Sequence, residues 1–594
     1  MKLSDYVADF LAKQGIRHVF AISGGASVHL IDSLAKHPNI DYICPQHEQA
    51  GAMAADAYAR IKSSFGAAIA TSGPGATNMV TGVCCAHYDS VPVIFITGQV
   101  ATFRLKSDTG VRQLGFQETD VVDMFRPITK YAVMVEDPQM IRYHMEKACY
   151  LALHGRPGPV LVDIPDNLQR ADVNPTELEP FTPAADATNK RSSLSQDQIH
   201  KCLELLSTAK RPIVVFGWGV RLAKAEKEAI AVAERLGFPV VPTWGALDMI
   251  PSSHPLFVGS FGTHGSRYGN FAIQNADVLL AVGTRLDTHE TGSPLSTFSR
   301  ESRKIVVDID SAELNKFPRF GMNVDLPLNC DAKDFLAALS ENLSALRSQD
   351  ISEWKSTIQH WKTKYPICAA SYFEEKEVNP YVFVKALADE SKAGDVFVLD
   401  TGCALAWMMQ GFEFKEGQRV LHAFNNTPMG YGLPASIGAS LAGNRRPITL
   451  VGGDGSMQMN IQELATVARH NLPIKIFLIN NHGYSMIQQT QEQWLGARYE
   501  ASSVEGGLGF PDFPALAQAY GCSATTITEN RGLRTRIREV LDSPGPMLCN
   551  VEIASSHRVV PQVKYGRAIE DSEPLLERAE FFKNMIVAPE KASL

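Results

Sequence analysis

The chain lacks the marks of several specialised protein classes. Its ten cysteines are scattered and include no CxxC pair. Most lie in apolar stretches and read as buried thiols of a reducing, cytoplasmic protein. There is no basic tract. Acids and bases are interspersed over a net charge of −8, so neither nucleic acid nor an anionic membrane is an expected partner. No apolar run is long enough to span a bilayer. The segment HEQAG, from His47 to Gly51, lacks the second histidine of a HExxH zinc site. At the N-terminus, Leu3, Val7, Phe10 and Leu11 recur at helical spacing among charged residues, which predicts an amphipathic helix rather than a signal peptide. What is present is 594 residues, 45% of them apolar. That is enough for three or four domains acting on small molecules.

Strand, glycine turn and helix alternate through three blocks, which predicts an α/β chain of three doubly wound parallel-sheet domains. The expected boundaries are 1–170, 196–345 and 376–555, with linkers at 171–195 and 346–375 and a tail at 556–594. No sequence repeat relates the blocks.

The densest chemistry lies in the third block. An apolar strand runs into VGGDGSMQMN (Val451 to Asn460), and a second strand ends in IFLINNHGYSM (Ile476 to Met486). Backbone N–H groups of Gly453, Gly455 and Ser456 can approach a diphosphate. Asp454, the Asn481 amide and the Gly483 carbonyl offer the hard oxygens Mg²⁺ prefers. A lone GDG is common in turns; two strand-end clusters at this separation are not. They resemble the fingerprint of thiamine diphosphate enzymes. PQHEQAGAMAADAYAR (Pro45 to Arg60) and ATSGPGATN (Ala70 to Asn78) resemble the pyrimidine-binding half of the same family. That resemblance makes 1–170 the pyrimidine-binding domain and 376–555 the diphosphate-binding domain. It implies that Glu48 is the acid that sets the cofactor's tautomer, with an apolar pocket raising its pKa. A lone Glu there would otherwise be a helix-capping group. Further cofactor contacts are implied for Gly24, Gly25, Pro74, Asn78, Gly402, Tyr484 and Met486. Met429 would be the wedge under the cofactor, and the Thr427 carbonyl would receive its aminopyrimidine.

The middle block carries VGSFGTHGSRYGN, ADVLLAVGTRLD and VVDID, which resemble the FAD-holding central domain of the acetohydroxyacid synthase group. The implied flavin contacts are Arg156, Gly217, Gly219, Thr243, Trp244, His264, Gly265, Gly283, Arg285, Asp308 and Asp331. Trp244 would stack on the ring, and Arg285 would pair with the diphosphate. Phe116 and Gln117, within GFQETD, would face the donor substrate.

Departures from that group concern the acceptor. The group's DDRVTG is here DTHETG, so His289 stands where an arginine would grip a second keto acid, and bidentate carboxylate recognition is lost. Thr490 stands where a bulky tryptophan would be, which predicts a more open, polar pocket. Ile22 and Ser23 replace a Tyr-Pro pair, and Cys403 and Ala404 replace Gln and His. The tail YGRAIEDSEPLLERAEF is similar to that of enzymes transferring acetyl units to nucleotide-linked ketosugars. The expected function is therefore a thiamine diphosphate-, Mg²⁺- and FAD-dependent carboligase, decarboxylating pyruvate and passing the two-carbon unit to a ketone or aldehyde. The alternative is an acetolactate synthase condensing two pyruvates. A simple decarboxylase, an acyl-CoA lyase or a non-catalytic subunit ranks lower, because there is no adjacent histidine pair and Glu48, Asp454 and Asn481 are all present. The resemblance also implies a homodimer or homotetramer with shared sites.

Overall fold

The computed structural model describes residues 1–183, 194–346 and 349–593. Most of the expected first linker's polar stretch, 184–193, lies outside these, as do 347 and 348 of the second.

The described residues form three parallel sheets. The first joins β1 (His18–Ala21), β2 (Asp41–Ile43), β3 (Gly66–Ala70), β4 (Val93–Gln99), β5 (Tyr131–Met134) and β6 (Val160–Pro165) in the order 2-1-3-4-6-5. The second is β7 (Pro212–Phe216), β8 (Val278–Val282), β9 (Arg303–Asp308) and β10 (Leu326–Asn329), ordered 10-9-8-7. The third comprises β11 (Val396–Leu399), β12 (Arg419–Leu421), β13 (Ile448–Gly453), β14 (Ile474–Asn480), β15 (Ser523–Ile527) and β16 (Met547–Glu552), ordered 12-11-13-14-16-15. Every residue of central strands β4 and β14 is buried, as expected where helices cover both faces of a parallel sheet. The first and third sheets share one strand order, so a structural repeat is present that the residues do not announce.

The helices Glu48–Lys62 and Gly432–Ala442 join the two outer sheets in one apolar cluster that includes Met53, Tyr58, Leu433 and Ile437. Their approach is set by small residues: a Cβ on Gly438 would stand 2.0 Å from Ala54 O. Beside this seam lies a buried polar hub. Arg60 donates to Asp56 and Asp89, the Tyr431 hydroxyl donates to Asp56 at 2.6 Å, and Asp89 accepts from the Phe424 and Asn425 amides. Trp218 of the second unit donates its indole N–H to Asp89 O at 2.9 Å. With every charge partnered, the hub registers all three units against one another; removing one partner would leave a buried ion.

The N-terminal helix forms as expected, Leu3–Lys13, with Leu3, Val7, Phe10 and Leu11 buried. All ten cysteines are free and seven are buried, while Cys44 is exposed and Cys84 and Cys368 are half-buried. The second linker contains a helix, Ser352–Lys364, whose Trp354 and Trp361 donate to Pro212 O and Asn584 Oδ1. The tail folds back on the second unit: Arg267 donates to the Ser572 and Pro574 carbonyls, and Phe581 packs against Phe271. No described helix is long and apolar enough to cross a membrane.

Candidate active site

Two clusters of expected site residues gather at the carboxyl ends of the outer sheets, where parallel α/β sheets place their loops for ligands. At the third sheet, Asp454 begins the helix Asp454–Met459 directly after β13. Its Oδ1 accepts from Gly455 N at 2.6 Å, and its Oδ2 from Asn481 N and Gly483 N at 3.1 and 3.2 Å. Burial, opposed by these bonds, pushes its carboxyl up to about 6. As placed, the Asn481 side-chain oxygen stands 2.8 Å from Gly483 O and 3.2 Å from Asp454 Oδ2. Three oxygens then face one another with no proton between them. A cation resolves that repulsion; without one, turning the amide over lets its nitrogen donate to both. The donor set thus fits Mg²⁺.

Around this triad runs a cavity lined by Gly402, Thr427, Met429, Gly453 to Ser456, Asn481, Gly483, Tyr484 and Met486, as expected, together with Thr401, Cys403 and Ala404. Added Cβ atoms on Gly402 and Gly453 would meet nothing within 4 Å, so both backbones border open space. Gly455 is different: the Tyr484 ring lies where its Cβ would be, at 2.0 Å. Thr427 has φ 40°, a left-handed conformation unusual for a β-branched residue and a common sign of strain at functional positions. Asp400 braces this segment. Its carboxylate accepts from Thr401 N, Gly430 N and Gly432 N, fixing the backbone that follows Met429. That role was missed in the sequence, although an acid closing β11 was a readable signal.

The other cluster lies at the first sheet. Asn78 Nδ2 donates to Glu48 Oε2 at 2.9 Å. A Cβ on Gly75 would stand 3.3 Å from Glu48 Oε1, and one on Gly24 2.5 Å from Thr71. Pro74 opens the short helix Pro74–Asn78, and Gln117, at φ 64°, lies against Gly73. Glu48 does not cap its helix; His47 does, accepting from Gln49 N. Nor is Glu48 enclosed in an apolar pocket: it is half-buried, and Phe116 is 85% exposed. Among the described residues none before Trp244 lines the third-sheet cavity, so Glu48 and Asn78 do not border it within one chain. The turn leading to Glu48 is nevertheless tied to the third sheet by buried Glu463, which accepts from Gln46 N at 2.8 Å.

A second cavity opens at the carboxyl ends of β7 to β10. It is lined by Arg156, Gly219, Thr243, Trp244, Gly283, Arg285, Asp308 and Asp331, as expected, and by Asp287, His289 and Glu290. Its arginines are engaged: Glu313 accepts from Arg156 at 2.8 Å and Arg285 at 3.1 Å, and despite burial Lys316, which donates to it at 2.6 Å, together with these arginines holds its carboxyl at about 2. Burial drives Glu290 the other way, to about 8. Several expectations are corrected here. Gly217 and Gly265 are packing positions, their Cβ sites 2.3 Å from Gly283 O and from Phe261. His264 lines the third-sheet cavity instead of this one. Thr490 lines neither of the two cavities, and its hydroxyl donates to Met486 O at 3.1 Å one turn back on its own helix. Trp244 and His289 line both cavities and form the wall between them.

Comparison with known proteins agrees with this architecture unit by unit. Family models match the N-terminal TPP binding domain of thiamine pyrophosphate enzymes at residues 1–124, the central domain at 199–339 and the C-terminal TPP binding domain at 400–551. The acetolactate synthase large subunit of Cyanidium caldarium is 34% identical over 567 residues, 94% of each chain. The chain belongs to the thiamine pyrophosphate enzymes of the acetolactate synthase type. Other similar members are acetolactate synthase 2, chloroplastic, of Nicotiana tabacum and acetolactate synthase, chloroplastic, of Arabidopsis thaliana. Each is 33% identical over 580 residues, 96% of this chain and 85% and 84% of theirs. As a thiamine pyrophosphate enzyme of this type, the chain is a thiamine diphosphate-dependent carboligase.

Proposed function

We propose that this carboligase decarboxylates pyruvate and transfers the two-carbon unit to an uncharged ketone or aldehyde. One observation carries the reading: among the described residues no lysine or arginine lines the third-sheet cavity, whose side chains offer Asp454, hydroxyls, an amide, apolar groups and the histidines His264 and His289. A second keto acid would leave its carboxylate there without a cation, at a cost that rises with burial. A ketosugar is one acceptor of the required kind, suggested by the tail's resemblance alone. The second reading, acetolactate synthesis, is favoured by the names of the relatives.

Thiamine diphosphate, when bound, supplies a site where the pyruvate carbon can hold a negative charge after loss of CO₂. Asp454, Asn481 and the Gly483 carbonyl would hold Mg²⁺, and the N–H of Ser456 would meet the diphosphate, that of Gly455 being engaged by Asp454. Met429, fixed through Asp400, would shape the cofactor from below. FAD would occupy the second cavity, with Asp308 and Asp331 toward its polar end and Trp244 toward its ring; its diphosphate would have to share Arg156 and Arg285 with Glu313. Glu48, Phe116 and Gln117 would complete the site from a second copy of the chain, which accounts for the exposure of Phe116 in one copy and implies at least a homodimer.

The test is to supply the holoenzyme with pyruvate alone and follow CO₂ and acetolactate. Slow CO₂ release with little acetolactate is expected, and His289→Arg should raise acetolactate formation. Rapid acetolactate formation by the unsubstituted enzyme would overturn the acceptor reading.

A further inference from the structure

A chain of three side chains runs from the tail into the wall between the cavities. Gln562 Nε2 lies 3.1 Å from His264 Nε2, and His264 Nδ1 lies 3.1 Å from His289 Nε2. The two imidazoles are stacked, with centroids 5.3 Å apart at 23°, and the Trp244 ring meets His289 edge-on at 4.4 Å. The amide end sets the polarity. Gln562 Oε1 accepts from Gln493 Nε2 at 2.9 Å, and the Gln562 backbone is pinned by paired bonds with Glu573. Its side-chain N–H therefore points at His264 Nε2, which must be bare to accept it. His264 then carries its proton on Nδ1 and donates to His289 Nε2. A neutral His289 is left with its one proton on Nδ1, an atom with no hydrogen-bond partner among the described residues. Thr263 Oγ1, 3.3 Å from His264 Nδ1, can accept from the same N–H without changing this order. Burial keeps both rings neutral, drawing His264 down to about 3 and His289 below its usual value.

We infer that His289 presents Nδ1–H as a neutral hydrogen-bond donor to the carbonyl oxygen of the acceptor, and that Gln562 and His264 are positioning residues that fix its tautomer. The inference rests on the reading that this cavity takes the acceptor, and it deepens that reading by defining what the acceptor must present: an uncharged oxygen. As the new carbon–carbon bond forms, the carbonyl π pair moves onto that oxygen. His289 stabilises the developing charge and keeps its own proton, and the proton that neutralises the oxygen comes from solvent water. A neutral donor suits this task because a bare imidazolium in the wall would be costly to bury and would attract carboxylates. The tail, 298 positions from His264 in sequence, thereby acts on the acceptor.

The test uses full-length holoenzyme labelled with ¹⁵N-histidine, the two rings being assigned through His264→Asn and His289→Asn. Nitrogen shifts should show both rings protonated at Nδ1 and bare at Nε2; a proton on His289 Nε2 overturns the inference. Gln562→Glu, measured at a pH where the new carboxyl is ionised, can only accept, so it should invert both tautomers, whereas Gln562→Met should leave them mixed. Tautomers unchanged in Gln562→Glu would remove Gln562 as the anchor. With pyruvate and hydroxyacetone as the probe pair, ligation product per CO₂ released should fall about ten- to a hundredfold in Gln562→Glu, the weight of one hydrogen bond to a charged oxygen. If the enzyme uses pyruvate as its own acceptor, acetolactate per CO₂ must fall likewise. An inverted tautomer with an unchanged ratio overturns the role of His289, whereas rapid acetolactate formation from pyruvate alone overturns only the preceding reading of the acceptor.

Discussion

The first and third sheets are the same device carrying different chemistry. Both run in the order 2-1-3-4-6-5 when each is numbered from its own first strand. After the second strand, one continues into the turn bearing Glu48 and the other into the segment bearing Thr427 and Met429; the helices that follow, Glu48–Lys62 and Gly432–Ala442, pack on each other. The third strand leads to the Gly73–Pro74 turn in one and to Asp454 in the other. The first set of loops offers one carboxylate, amides and an exposed aromatic. The second offers a ring of oxygens suited to a cation. The backbone decides where loops are presented and the loop residues decide what they do, so a repeat of fold need leave no repeat in sequence.

If the two loop sets act in trans, the comparison can be broken by mixing chains. Asp454→Ala should lose Mg²⁺ and cofactor binding together, and Glu48→Gln should keep both while turnover falls about a hundred- to ten-thousandfold. Chains carrying one substitution each, unfolded and refolded together, should regain activity, because a mixed dimer holds one site with both residues intact. Random pairing places about a quarter of all sites in that state. No recovery in a mixture shown to contain mixed dimers would mean that both clusters act within one chain.

Much of this was legible because the chemistry sits at strand ends. Asp454, Asn481 and Gly483 follow apolar runs that could only be strands, and the structure gathers them around a single point. Residues whose role depends on distant parts of the chain were not legible. His264 reads as part of a flavin segment, yet it turns toward the other cavity because Gln562 and His289 hold it there. Thr490 shows that position does not give orientation: four residues after Met486 on a helix, its hydroxyl bonds back to that carbonyl. Asp400 and Glu463 act on backbone amides, so the sequence shows at most their position, as with the acid that follows β11, and not the turns they hold.

The seam between the repeats gives a smaller expected effect. Gly438→Ala should destabilise the protein by about 2–4 kcal/mol, since its Cβ would stand 2.0 Å from a backbone oxygen on a packed helix. Gly453→Ala has open space around it; it should leave the melting temperature of the cofactor-free protein nearly unchanged while weakening cofactor binding. Thermal melts with and without thiamine diphosphate separate the two, and equal losses in the cofactor-free state would mean that the close approach of the helices carries no special cost.

A last comparison concerns a pair of equivalent positions inside the sheets. Asp163 is the fourth residue of β6 and Asn550 the fourth of β16. Asp163 is buried, accepting from Thr97 Oγ1 at 2.6 Å and Gln99 Nε2 at 3.0 Å, and burial pushes its carboxyl up from 3.8 to about 7. A carboxyl raised on folding binds more protons in the native than in the unfolded state. Its effect on stability is therefore absent below about pH 4, grows unfavourable as pH rises through the interval to about 7, and is constant above that. Asp163→Asn gives β6 the side chain that β16 already has at this position, and it removes the titration. The variant's melting temperature should fall less than that of the unsubstituted protein between pH 4.5 and pH 7.5. Parallel curves across that interval would show that Asp163 is already ionised in the fold, held so by its hydroxyl and amide donors.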